Sequence, residues 1–156
     1  MKKDEDKSIK MAKDWIQNLA QGRKGREIET QALQNLHSIH LQEGLLRCSF
    51  VVPKSLSVNK QSQFHFPFFL VSLVDITGSS VIVATVGNIT VSVEFNISYF
   101  SPAKINEEVE IEAKVLGHKG NLSSNMVVIT NRENGELIAV GKQWMSEFDP
   151  KHKSKL

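Results

Sequence analysis

The sequence has a single cysteine, Cys48, so it can form no internal disulfide and no zinc site built from several cysteines. Charge of either sign is not in excess, with 19 Lys and Arg against 17 Asp and Glu, which gives no indication of a dedicated nucleic-acid binder. The N-terminal residues MKKDEDKSIK lack the apolar segment of a secretory signal, so no such leader is expected. The 156 residues, 40% of them hydrophobic, are expected to form one globular domain with a continuous core.

Charge is especially scarce in one long central stretch, residues 61–93, where Asp75 is the only formally charged residue. A carboxylate that is desolvated in apolar surroundings costs several kcal/mol unless it is paired or neutralised. Carboxylates in such surroundings are often functional. Asp75 is therefore either a functional carboxylate or a residue that caps or turns the chain beside Thr77 and Gly78.

The same stretch is long enough to span a membrane, since residues 66–86 are mostly apolar. However, an Asp at the centre of a spanning helix costs about 2.5–3.5 kcal/mol. Pro67, Gly78 and several hydroxyl residues lower the hydrophobicity further. We therefore predict no membrane span.

Hydrophobic periodicity in the first half predicts a helix followed by a hairpin. Residues 1–7 are expected to be disordered, and residues 8–20 to form an amphipathic helix. Two strands, 36–42 and 45–52, are expected to pair around Glu43-Gly44.

The second half predicts a sheet with one apolar face. Residues 64–83 are locally ambiguous between a strand and a buried helix, although Pro67 suits a first helical position. Four strands are predicted at 89–100, 108–115, 122–131 and 136–145, with turns at 117–121 and at Asn134-Gly135, a two-residue hairpin signal. A meander of these strands needs a cover on its apolar face, and 64–83 is the candidate. The predicted fold class is α+β, a sheet wrapped around a long central helix.

Four segments carry a resemblance to a known family: LLRCSFVVPKSLS, SLVDITG, VSVEFNISYFSPAKINEEVEIEAKVLGHKGNLS and NGELIAVGKQWM. They are similar to the hotdog-fold acyl-CoA thioesterases, in particular the small thioesterase 13 type. The resemblance covers about residues 27–147, so that 1–26 are an N-terminal tail and helix and 148–156 a C-terminal tail.

This resemblance implies a set of catalytic residues. Asp75 matches the helix carboxylate that acts as general base or nucleophile on the thioester. Asn59 matches a loop residue that binds the carbonyl or the attacking water, and Ser92 matches a strand serine that orients the water. The resemblance also implies no cofactor and a homodimer or homotetramer, since the family's site requires two chains.

The start of the central helix departs from the family pattern. The family opens this helix with His-Gly-Gly or His-x-Gly-Ala, whereas this chain has His65-Phe66-Pro67 followed by Phe68 and Phe69. Pro67 has no N–H to donate to a thioester carbonyl. Two hypotheses follow: a hydrolase of fatty or aromatic acyl-CoA, or a catalytically impaired protein that binds acyl-CoA or assembles with active homologues.

Three further interpretations concern binding and location. The resemblance implies that basic residues at the strand ends contact the phosphates of coenzyme A, and His118 and Lys119 are the first candidates, with Lys54 and Arg132 as alternatives. His37 and His40 have no partners at ligand spacing, so no metal site is expected. The C-terminal tripeptide Ser154-Lys155-Leu156 is a peroxisomal signal read by an import receptor, which predicts a peroxisomal location.

Overall fold

The computed structural model describes residues 2–21, 23, 33–54 and 65–148, with the backbone alone at 2–3 and 65–68. In chain order the elements are α1 (Lys2–Ala20), β1 (Leu36–Gln42), β2 (Leu45–Val51), α2 (His65–Val86), β3 (Thr90–Tyr99), β4 (Glu108–Lys119), β5 (Leu122–Asn131) and β6 (Leu137–Glu147). The strands form one antiparallel sheet and the helices cover its inner face. The fold class is therefore α+β, as predicted.

The sheet order is β1-β2-β4-β5-β6-β3. The predicted meander of four consecutive strands is wrong in one respect, because β3 pairs with β6 and not with β4. The connection 100–107 crosses the sheet: Phe100 N–H donates to Ile138 O on β6, while Asn106 N–H donates to Val52 O beside β2. This crossing leaves β3 as an edge strand directly after the central helix.

The central helix α2 is apolar on all sides because both of its sides are covered. Leu73 and Val74 are fully buried between the helix and the sheet, and the rings of Phe50 and Phe69 lie 4.8 Å apart. On the other side, α1 packs against α2 with its buried Ala12, Ile16 and Leu19. An all-round apolar helix is typical of a core position.

Two buried hydroxyl groups of α2 are satisfied within the helix. Thr77 Oγ1 donates to Leu73 O at 2.6 Å, and Ser80 Oγ donates to Ile76 O at 2.7 Å. The segment Phe69–Val86 is long and apolar enough to cross a bilayer, but 61% of it is buried inside the protein. It serves as the core helix of this fold.

Helix α1 begins earlier than predicted. Disorder was expected for residues 1–7, yet the helix starts at Lys2. Its first turn holds Asp4 and Glu5, and negative charge at a helix N-terminus is stabilising. The charged residues of this segment are therefore compatible with the first turns of a helix.

The β1–β2 hairpin is confirmed, with Gly44 in the left-handed region at φ 73°. Two predicted turns are wrong. Strand β4 continues to Lys119, so that only Gly120 and Asn121 connect it to β5. The β5–β6 loop is longer than two residues, because Asn131 Oδ1 accepts hydrogen bonds from the backbone N–H groups at 133 and 134 and organises a wider turn.

Candidate functional site

Asp75 lies in the middle of α2, half-buried, where the helix meets β3 and β6. Two side chains of the sheet hold its carboxylate. Ser92 Oγ on β3 donates to Oδ1 at 3.1 Å, and Gln143 Nε2 on β6 donates to the same oxygen at 2.8 Å. Within the described residues, Oδ2 has no hydrogen-bond partner. Asp75 is thus neither a cap nor a turn residue.

The donors on Asp75 are neutral. No Lys, Arg or His forms an ion pair with this carboxylate in the part of the chain that is described. A carboxylate held by neutral donors keeps its negative charge uncompensated, which suits a group that must accept a proton.

A second, buried amide stands behind Gln143. Asn125 Nδ2 on β5 donates to Gln143 Oε1 at 3.1 Å. Asn125 is 0% exposed and Gln143 1% exposed, so this amide pair (Gln143 and Asn125) lies in the core under α2. Gly78 of α2 faces the pair, and a Cβ at this position would overlap with Gln143 Oε1. The helix therefore lies this close to the amides because residue 78 has no side chain.

Neither amide was predicted from the sequence as a site residue. The alternation of the strands could have identified them. Every second residue of a strand faces inward, and positions 125 and 143 belong to the inward-facing series of β5 and β6. A polar side chain at an inward position needs a hydrogen-bond partner, and that partner here leads to Asp75.

A cavity of about 530 Å³ opens beside Asp75. Asp75 and Ser92 are among the residues that line it, and the rest of the wall is mostly apolar. The lining comprises Met11, Trp15, Asp75, Ser79, Val83, Ile89, Thr90, Val91, Ser92 and Met145. Helix α1 thus contributes Met11 and Trp15 to the same cavity as the Asp75 carboxylate. This contribution was not predicted from the sequence.

The other predicted site residues are not all brought to this cavity. His65, Phe66 and Pro67 form the first turn of α2, where only the backbone is described, and Pro67 is its third residue and not its first. His118 and Lys119 are exposed at the end of β4, not in a turn, and do not line the cavity. Asn59 lies outside the described residues, as does the 154–156 tripeptide.

Alternative chemistry finds little support in the described residues. They contain no group of three His, Cys, Asp or Glu side chains placed to hold a metal ion. Cys48 is 2% exposed, and burial raises the pKa of its thiol to about 12, so it is not a ready nucleophile. His37 Nε2 is 2.9 Å from Glu108 Oε1 on the opposite face of the sheet.

Comparison with known proteins gives the same fold. The model of the thioesterase superfamily matches residues 69–138. The structure of thioesterase superfamily member 2 from Mus musculus is 30% identical, with a TM-score of 0.68, over 86% of this chain and 98% of that one. The chain belongs to the thioesterase superfamily. Its antiparallel sheet around a central helix is the hotdog fold of that family.

Two further proteins are similar to this chain. The zebra fish thioesterase superfamily member 2 has a TM-score of 0.74 and is 27% identical, over 85% of this chain and 94% of that one. Acyl-coenzyme A thioesterase 13 of Mus musculus is 48% identical over 52 residues. That alignment covers 33% of this chain and spans only 37% of the mouse protein's length.

Proposed function

We propose that this protein hydrolyses an acyl-CoA thioester to the free acid and coenzyme A, with Asp75 as the general base. The observation that carries the proposal is the Asp75 carboxylate in the wall of the cavity, with Oδ1 held by two donors. Similarity to acyl-coenzyme A thioesterase 13 supports the choice of substrate class.

The proposed reaction uses Oδ2 of Asp75, the oxygen that has no hydrogen-bond partner among the described residues. A water molecule transfers a proton to Oδ2 while its oxygen bonds to the thioester carbonyl carbon. The C–S bond then breaks, the coenzyme A thiolate leaves, and the proton passes from Asp75 to the sulfur. Ser92, at 3.1 Å from Oδ1, orients the carboxylate and the water.

The cavity supports an apolar acyl group. Its volume of about 530 Å³ is within the usual range of small-molecule sites, about 300–1,000 Å³. Trp15, Val83, Ile89 and Met145 form apolar walls beyond the carboxylate. A fatty or aromatic acyl chain buried there gains transfer free energy, about 0.8 kcal/mol per methylene.

The thioester carbonyl is proposed to bind the first turn of α2 and Asn59 of a second copy of the chain, because ten residues, about 15 Å of helix, separate His65 from Asp75 within one chain. The first N–H groups of a helix have no partner within the helix and point toward a developing oxyanion. His65 and Phe66 have such N–H groups, whereas Pro67 does not. We place the phosphates of coenzyme A on the exposed His118 and Lys119.

The proposed assembly is a homodimer or homotetramer. Strand β3 is an edge of the sheet with Val91 and Val93 exposed, and Val91 also lines the cavity of Asp75. An exposed apolar edge strand is a surface that natural proteins normally cover. A second copy of the chain covers it in this proposal.

The proposed location is the peroxisome. The C-terminal Ser154-Lys155-Leu156 is an address for an import receptor and does not anchor the protein to a membrane. Removal of these three residues from a fluorescent fusion should leave the protein in the cytosol. Peroxisomal fluorescence without the tripeptide would contradict the proposal.

A second candidate function is binding of acyl-CoA without turnover. It is favoured by one observation, the loss of an N–H donor at Pro67 inside the first turn of α2. Loss of one oxyanion donor typically costs about 10²–10³ in rate. A protein impaired in this way still binds coenzyme A or assembles with active homologues.

One pair of measurements separates the two candidates. Free-thiol release is followed for a panel of acyl-CoAs of increasing chain length, together with an aromatic acyl-CoA. The melting temperature is measured with and without coenzyme A on the same sample. Thiol release supports the hydrolase. A higher melting temperature without thiol release supports the binding protein. If the protein shows neither thiol release nor a higher melting temperature, both candidates are contradicted.

A further inference from the structure

We propose that the amide pair, Gln143 and Asn125, positions Asp75 and selects Oδ2 as the oxygen that takes the proton. This inference rests on the proposed function of Asp75. Neither amide touches the substrate cavity, because neither residue is among those that line it. They are positioning residues that act through the carboxylate.

The direction of each hydrogen bond is fixed by its neighbour. Asn125 Nδ2 has two acceptors, Gln143 Oε1 at 3.1 Å and Met145 Sδ at 3.8 Å, which identifies it as the donor end of the Asn125 amide. Because Asn125 occupies Gln143 Oε1, the Nε2 end of Gln143 is directed at Asp75 Oδ1, 2.8 Å away. Asn125 therefore prevents the rotation of Gln143 that would set an oxygen against the carboxylate.

The amide pair makes the core less stable than apolar side chains of the same shape would. Asn125 Oδ1 is buried without a hydrogen-bond partner among the described residues. Burial of an unsatisfied polar atom lowers stability, whereas an apolar side chain of the same shape avoids that cost. A role in holding Asp75 accounts for polar residues at two core positions.

The helix is also adapted to the pair. Gly78 follows Asp75 by three residues and so lies on the same side of α2. A Cβ there would overlap with Gln143 Oε1 and lie 2.7 Å from Asn125 Oδ1. Glycine is unfavourable in a helix interior, and here it admits the two amides beneath the carboxylate.

The consequence concerns the two oxygens of Asp75. Gln143 and Ser92 both donate to Oδ1, so this oxygen is saturated and fixed. Oδ2 remains available to accept the proton of water. An Asp75 without Gln143 rotates more freely, and both oxygens then compete for the water.

The kinetic test compares Gln143→Met with Lys142→Met, an exposed neighbour on the same strand. Gln143→Met removes a hydrogen bond to a charged group and should lower kcat by about tenfold to a hundredfold with little change in KM. Asn125→Leu should lower kcat by about threefold, the size of a neutral hydrogen bond. Lys142→Met should leave both constants unchanged.

A double-mutant cycle separates positioning from general damage to the fold. In the Asp75→Asn background, Gln143→Met should cause no further loss of the residual rate, because its effect passes through the carboxylate. If the two losses instead multiply, Gln143 does not act through Asp75 and the inference is overturned.

A measurement that does not depend on activity tests the same inference. The Gln143 side-chain amide resonance in an NMR spectrum is identified by its loss in Gln143→Met. It should move in both Asp75→Asn and Asn125→Leu. An unchanged resonance overturns the inference. If the wild type shows no turnover but the resonance moves, the proposed function fails while the hydrogen-bonded arrangement stands.

Discussion

The two faces of the sheet hold carboxylates in opposite ways. On the outer face, Glu112 bonds to Arg47 at 2.8 Å and to Lys114 at 2.9 Å, so its charge is compensated twice. On the inner face, Asp75 is held by a hydroxyl and an amide and has no cation within the described part of the molecule. Each carboxylate has two donors, but those of Glu112 are cations on separate oxygens, whereas those of Asp75 are neutral and share Oδ1.

The outer carboxylates respond to their partners as ordinary surface ion pairs do. Hydrogen bonds from Lys114 and Arg47 hold the pKa of Glu112 below its usual range. Hydrogen bonds from His37 and Arg132 likewise lower the pKa of Glu108. Such exposed pairs contribute little to stability, about 0–1 kcal/mol. They cover the outer face with charge of both signs.

The residues around Asp75 occupy core positions at which apolar side chains would make the folded protein more stable. Its neighbours include a glycine in a helix, a buried amide with an unsatisfied oxygen, and a cavity. The outer face therefore carries compensated charges, whereas the inner face surrounds one uncompensated carboxylate, the group that the proposed function uses.

The largest effect on stability is expected at the packed inner face. A Cβ at Gly141 of β6 would overlap with Val74 Cγ1 of α2. Gly141→Ala should therefore lower the free energy of unfolding by about 1–3 kcal/mol through overpacking. At Gly117 on β4 an added Cβ meets nothing within 4 Å, so Gly117→Ala is the matched control. Equal effects in denaturant titrations would contradict this account of the packing.

A smaller effect is expected at the wall of the cavity. Trp15 of α1 is 37% exposed and lines the cavity. Trp15→Ala should raise the ratio of kcat/KM for bulky over short acyl-CoAs by about tenfold, since one methylene is worth about 1–3 kcal/mol in such a pocket. Lys13→Ala, exposed on the same helix, should leave the ratio unchanged. An unchanged ratio in Trp15→Ala would show that α1 does not contact the acyl group.

The smallest effect is expected on the outer face. Because the pKa of Glu112 in the folded protein is lowered from its ordinary value of 4.5, its pairing stabilises the protein above that pH. Glu112→Gln should lower stability at pH 7 by at most about 1 kcal/mol. The difference from wild type should disappear as the pH falls below 4.5. A constant difference down to pH 3 would show that packing and not charge is responsible.

Much of the fold was predictable from local patterns. Strict alternation predicted β3 and β4, and the apolar stretch around Asp75 predicted the core helix. The order of the strands was not predictable in this way, because pairing of β3 with β6 depends on the long-range crossing of 100–107. Local periodicity contains no information on which edge a strand joins.

The candidate site was predictable in part. Asp75 was identified as an isolated charge and Ser92 through the resemblance to a family, and the structure brings the two within 3.1 Å. Gln143 and Asn125 were missed because each is an ordinary polar residue until its strand is paired and its face is known. The contribution of α1 was missed because packing of α1 on α2 is a tertiary contact.

The most direct test of the central claim is a paired measurement on Asp75→Asn, with thiol release from acyl-CoA and the melting temperature taken from the same preparation. The account predicts that turnover falls by about a hundredfold or more, the scale of a lost general base, while the melting temperature stays close to that of wild type. Wild-type turnover in Asp75→Asn, or a loss of turnover accompanied by unfolding, would contradict it.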